Sequence, residues 1–162
     1  MRIHRATRAA PVRGNESPVT HNRNHGDRID YQIDQAARLL EMSIVGDISD
    51  DRALQEIPDI WRRYPEIAGY DSLVDLRADT GLISWRATRA IAGLWRSFAG
   101  DRDRGRRTAL IVRNADWEVY ARAIARLFPN RTFRTYRDVE PARAWLRDQE
   151  REPDAPPHAV RA

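Results

Sequence analysis

Cysteine and lysine are absent from this chain, and its histidines stand only at His4, His21, His25 and His158. Between about Ile29 and Gln149 there is therefore no thiolate, no imidazole base, no Schiff-base amine and no His or Cys metal ligand. Any chemistry there falls to Asp, Glu, Arg, Ser, Thr or Tyr, so binding is expected in place of turnover: no enzyme, no metal and no cofactor. Long apolar runs are missing too. Nothing approaches the roughly 20 residues of a membrane helix, and residues 1–28 hold no apolar stretch of a secretory signal; a cytoplasmic protein is expected. The body of the chain also lacks a basic excess. The net charge of +4 is carried by Arg2, Arg5, Arg8, Arg13, Arg23 and Arg28 against Glu16 and Asp27, and the rest is balanced. That argues against specific nucleic-acid binding.

What is present suffices for one domain: 162 residues, 41% of them hydrophobic, with five Trp to fill a core. Residues 1–28, with Pro11, Gly14, Pro18 and Gly26 and no hydrophobic periodicity, read as a disordered arginine-rich arm. Residues 150–162, with Pro153, Pro156 and Pro157, read as a disordered tail. The domain is placed at 29–149.

Within it the periodicity predicts a β-hairpin, from Ile29, Tyr31 and Ile33 alternating with polar residues, then Leu40, Met42 and Ile44 doing the same. Ser49, Asp50 or Asp51 caps a first helix through Leu54, Ile57, Ile60 and Trp61, which Pro58 is expected to break or kink. A short strand over Ser72–Leu76 follows. Ser84 caps a second helix that runs through Phe98 and stops at Gly100. The unbroken run Ala109–Val112 predicts a strand covered on both faces. Trp117, Tyr120, Ala121, Ile124, Leu127 and Phe128 trace a third helix ended by Pro129 and Asn130. Thr132–Tyr136 reads as an edge strand, and Asp138 caps a fourth helix with Val139, Ala142, Trp145 and Leu146. The fold class is α/β: an N-terminal hairpin, then alternating elements, giving a mixed five-stranded sheet with four helices.

That order, with "LLEMSIVGDIS" entering the first helix, "YDSLVDLRADTGLIS" leading to the second, "RTALIVR" central and "EPARAWL" near the end, resembles the STAS-like superfamily, typified by anti-sigma-factor antagonists. The resemblance spans about Ile29 to Leu146. It implies a small module that binds a protein partner, a nucleotide or a lipid. It also implies a serine phospho-switch in an Asp-Ser-Ser-Gly motif at the start of the second helix. Only Ser84 of the stretch Ile83-Ser84-Trp85-Arg86 matches, and an N-cap is the simpler role for it.

Four further groups are candidates for function. Asp47, Asp50, Asp51, Asp75 and Asp79 fall near one rim of the sheet, as oxygen ligands for Mg²⁺ or, more simply, as helix-start and turn residues. A receiver-type phosphorylation site is excluded by the missing lysine. Arg77, Arg113 and Arg137 follow strand ends and form a candidate anion site. The run "DRDRGRR" at 101–107 reads as a solvated loop. On the second helix, Ala87, Ile91, Leu94 and Phe98 suffice to cover a sheet, yet Trp85, Thr88, Ala92 and Trp95 form another stripe beside them. These four are a candidate partner face or apolar ligand slot, unless neighbouring helices cover them. The expected function is a non-enzymatic binding and regulatory module acting through an unknown protein partner. The alternative is a carrier or sensor of a small apolar or anionic ligand, lipid or nucleotide; an unspecified hydrolase comes third.

Overall fold

The computed structural model describes residues 26–148. The expected tail, and the expected arm apart from its last three residues, lie outside them. Those three correct the boundary. Arg28 opens the first strand, and Asp27 is tied into the fold, its Oδ1 accepting from the Asp47 amide at 3.0 Å and its carbonyl from Arg52 Nη1 at 3.0 Å.

Strands β1 (Arg28–Asp34) and β2 (Leu39–Val45) form the antiparallel hairpin; α1 (Asp50–Arg63) and a 3₁₀ turn (Pro65–Gly69) lead to β3 (Asp71–Asp75). Then come α2 (Trp85–Ala99), β4 (Arg106–Ile111), α3 (Ala115–Ala125), β5 (Arg131–Tyr136) and α4 (Val139–Arg147). The strands lie in sequence order, β1-β2-β3-β4-β5, with β2 to β5 all parallel. Sequential order and right-handed crossovers place every connecting helix on the same face. Accordingly α1, α2 and α3 share the larger core with Leu40, Met42, Ile44, Leu110 and Val112, while α4 alone packs on the other face over Leu73, Ala109 and Ile111. The alternation of β4 between these two cores explains its unbroken apolar run: Ala109 to Val112 are 0–4% exposed.

Several elements differ from expectation in instructive ways. Helix α1 continues through Pro58, although the ring removes one hydrogen bond to the preceding turn. Ala53, Ile57, Ile60 and Trp61 are all buried along it, and that burial outweighs a cost of roughly 3 kcal/mol. Ser49 is its cap, its side chain accepting from the Arg52 amide, with Asp50 and Asp51 in the first turn. Helix α3 ends at Ala125, not at Pro129. Leu127 and Phe128 belong to tighter turns whose amides donate to Ile124 and Ala125, three residues back. Asp138 occupies the cap position of α4 without a side-chain bond to it. The 101–107 run is not simply solvated: Asp103 is 3% exposed and accepts from Trp95 Nε1 at 2.7 Å and Asn130 Nδ2 at 3.0 Å.

Candidate functional site

The two-residue period of the sheet turns Leu40, Met42 and Ile44 of β2, Ser72 and Val74 of β3, Thr108 and Leu110 of β4, and Arg131 and Phe133 of β5 toward the three helices. These side chains do not meet the helices everywhere. A cavity of about 180 Å³ remains between sheet and helices, roofed by Ile57 and Trp61 of α1, Thr88, Ile91 and Trp95 of α2, and Trp117, Tyr120 and Ile124 of α3. Its wall is almost wholly apolar. Small side chains open one end: Ser72 and Thr108 are paired across β3 and β4 in the same row as Leu40 and Phe133. From Ser72 to Leu76 the chamber follows β3 for four residues, roughly 13 Å at strand rise.

Its two ends differ in polarity. At the head of β5, Arg131 is buried among Ser72, Thr108 and Trp95, with its guanidinium carbon 5.4 Å from the Trp95 ring centroid. Burial drives its pKa down to about 10, so it remains charged at neutral pH. At the far end Asp79, 3% exposed, accepts from the Gly81 amide at 3.1 Å. Burial pushes this carboxyl above its ordinary value. Tyr120 closes the seam between α2 and α3 there: its hydroxyl lies 2.9 Å from Thr88 Oγ1 and 2.8 Å from the Ile83 carbonyl, while Thr88 Oγ1 is 3.0 Å from the Ser84 carbonyl. Two hydroxyl protons serve these three contacts, so two are bonded at any moment.

The sequence-predicted residues are distributed as follows. Of the α2 stripe, Thr88 and Trp95 line the cavity, Ala92 is fully buried, and Trp85 is 43% exposed beside Tyr120, with ring centroids 6.3 Å apart. They are not one exposed face. Both stripes contribute to the core: Ala87 and Ile91 of the first are buried with Phe98 packed beside them, and its Leu94, expected to cover the sheet, is 46% exposed. Trp95 is held by Asp103 through its indole N–H and by the edge of Trp61, with ring centroids 4.9 Å apart.

Arg77, Arg113 and Arg137 do sit just past β3, β4 and β5, each with a partner of its own. Arg77 grips Asp75 with both Nε and Nη2, Arg137 bonds Glu118 at 2.6 Å, and Arg113 lies over the Trp117 ring. The strand order never reverses, so there is no topological crevice at that edge for a ligand to enter. Ser84 caps α2, its Oγ accepting from the Ala87 amide at 3.2 Å; Asp50 takes both the Ser84 hydroxyl, at 2.5 Å, and the Ser84 amide, at 2.8 Å. Those bonds hold the Asp50 carboxyl below its ordinary pKa. Of the other candidate acids Asp75 binds Arg77 and Asp79 accepts from the Gly81 amide, while Asp47 and Asp51 are exposed, Asp51 in the first turn of α1. Among the described residues no three His, Cys, Asp or Glu side chains gather as a metal set.

Arg131 was not read from the sequence, and of the chamber only Thr88 and Trp95 were among the residues offered for an apolar ligand slot. The signal was there in part, since Arg131 and Phe133 share a parity on β5, but the predicted strand began at Thr132 and left the arginine outside.

The geometry is that of an α/β fold with an N-terminal hairpin and sequential strand order. No family model and no curated protein matches the chain. Among solved structures it is similar to an uncharacterized protein from the DUF3478 family, with a SpoIIAA-like fold, from Shewanella loihica PV-4. The likeness covers 78% of this chain and 98% of that one, at 22% sequence identity and a TM-score of 0.54. It is a likeness of fold. The chain therefore has the SpoIIAA-like fold shared with anti-sigma-factor antagonists, as the order of its elements implied. No helix among the described residues is long and apolar enough to cross a membrane.

Proposed function

We propose that this domain is a non-enzymatic, cytoplasmic binding module that carries or senses a small apolar molecule held between its sheet and helices α1 to α3. The observation that carries this reading is the cavity of about 180 Å³ with its apolar wall. Native cores close such space because unfilled volume costs stability, roughly 24 cal/mol per Å³. A ligand of matching shape recovers those contacts, much as an engineered apolar cavity of about 150 Å³ takes up benzene.

Thermal shift of the full chain with hexanol or toluene tests the reading. A ligand at about 100 times its Kd should stabilise the fold by about 2.7 kcal/mol. Val74→Phe, which places a ring in the chamber, should fold and lose the response. Equal shifts in the wild type and Val74→Phe would refute the proposal.

Regulation through a protein partner is the second reading. It keeps the support of four exposed apolar side chains, Leu82, Trp85, Leu94 and Val119. It ranks second because Trp95, one of its two expected anchors, is spent on the core.

A further inference from the structure

The head of β5 carries a group of donors with nothing to receive them. Arg131 Nε donates to Thr108 Oγ1 at 2.9 Å, and Nη2 to Ser72 Oγ at 3.1 Å and to the carbonyls of Tyr70 and Arg107 at 2.9 and 3.0 Å. Its Nη1 has no partner, although the residue is only 9% exposed. Ser72 and Thr108 accept from the guanidinium, so their own hydroxyl protons point elsewhere, and no acceptor for either occurs among the described residues. Both side chains are buried on the cavity wall.

The charge is answered only at a distance. Arg131 forms no ion pair among the described residues. The carboxylates nearest in effect, Asp103 and Asp71, act on it through space while they accept from neutral donors, the first from Trp95 and Asn130 and the second from the Arg107 amide. A buried cation with no carboxylate in contact is costly, and the field of those two acids and the face of Trp95 offset only part of that cost. An apolar chamber that ends in one cation and three free donors is complementary to an anion with an apolar tail.

We infer that the chamber takes a small amphiphilic carboxylate whose head is received by Arg131 Nη1 and the Ser72 and Thr108 hydroxyls, with its tail lying along Val74, Leu110 and Ile91. This rests on the proposed function above and adds the ligand's class and its orientation. A single negative charge supplies the contact anion that the guanidinium lacks, and the lone pairs of two carboxylate oxygens can accept from all three donors. A phosphate monoester would bring a second negative charge, and Arg131 is the one cation among the residues lining the chamber. Asp79 at the other end excludes the reversed orientation. Scaling from benzene in a cavity of about 150 Å³ gives a ligand of roughly seven or eight heavy atoms, the size of hexanoate.

Calorimetric titration of the full chain at pH 7 with hexanoate, hexanol, hexylamine, hexyl phosphate and acetate tests it. Hexanoate should bind at least about tenfold more tightly than hexanol, hexylamine more weakly than either, and acetate not measurably. Arg131→Gln, which keeps a donor amide, and Thr108→Val should each erase most of the hexanoate preference while leaving hexanol binding in place. Should Arg131→Gln not fold, the head-group series on the wild type and Thr108→Val decides. Hexanol binding as tightly as hexanoate, hexyl phosphate binding better than both, or acetate competing away hexanoate at equal concentration would overturn the inference and leave the apolar chamber standing. Failure of both hexanol and hexanoate to bind would remove chamber and inference together.

Discussion

Trp95 shows how one side chain decides between two accounts of a helix. On the α2 surface it pairs naturally with Trp85 as an interface anchor, yet its indole N–H finds the carboxylate of Asp103, an acid in a stretch that reads as loop. Trp95→Ala is expected to cost about 3 to 5 kcal/mol, as a buried tryptophan does, and to strand Asp103. Trp85→Ala should stay within about 1 kcal/mol, since the side chain is 43% exposed. Denaturant melts of the two variants distinguish them; equal losses would contradict the placement of α2. Ser84 is the other residue whose role sequence leaves open. Ser84→Ala removes the α2 cap and Asp50's partner together, with an expected loss of about 0.5 to 2 kcal/mol by the same measurement. A phosphate on Ser84 Oγ would face the Asp50 carboxylate now bonded to it, so the phospho-switch is kept only as a proposal that intact-mass analysis of protein from cells can test.

Among the elements, legibility followed exposure to a single environment. While the cap of α1 was narrowed only to Ser49, Asp50 or Asp51, strands β2 and β4 and the caps at Ser84 and Gly100 were readable because alternation and capping are local. The ends of α3 and the start of β5 were not. The turn residues Leu127 and Phe128 keep apolar spacing past the last helical bond, and Arg131 is a charged residue facing a core, which pattern alone assigns to the surface. The roles of the two α2 stripes depend on where α1 and α3 lie, information held in the sheet order and not in the helix. The seam between α2 and α3 is bridged by Tyr120. Tyr120→Phe should lower stability by about 0.5 to 1.5 kcal/mol, one hydrogen bond's worth, and speed amide exchange at the start of α2. Unchanged exchange there would show that the seam is held by packing alone.

At the scale of the molecule, sequential strand order puts three helices on one face, and their side chains leave a chamber between a charged arginine and a buried aspartate. The two acids near α2 make opposite demands on pH. Asp50, with its pKa lowered, contributes stability that is present above the ordinary carboxylate range and lost as pH falls through its folded value. Asp79, with its pKa raised by burial, contributes stability that is full below the ordinary range and lost as pH rises through its folded value. Asp79→Asn should therefore be more stable than the wild type at pH 7, with the gap closing as the buffer is acidified. Asp50→Asn should show the reverse, and melting temperatures from pH 3 to 7 read both.

The central claim is that an apolar molecule enters the space among Trp61, Trp95 and Trp117, which are three of the five tryptophans and all line the chamber. Titrating 6-bromohexanol against intrinsic tryptophan fluorescence tests this most directly, because a bromine quenches by near contact. The account predicts saturable quenching that survives in Trp85→Phe and disappears in Val74→Phe. Quenching that rises linearly without saturation, or that is lost with Trp85, would contradict it.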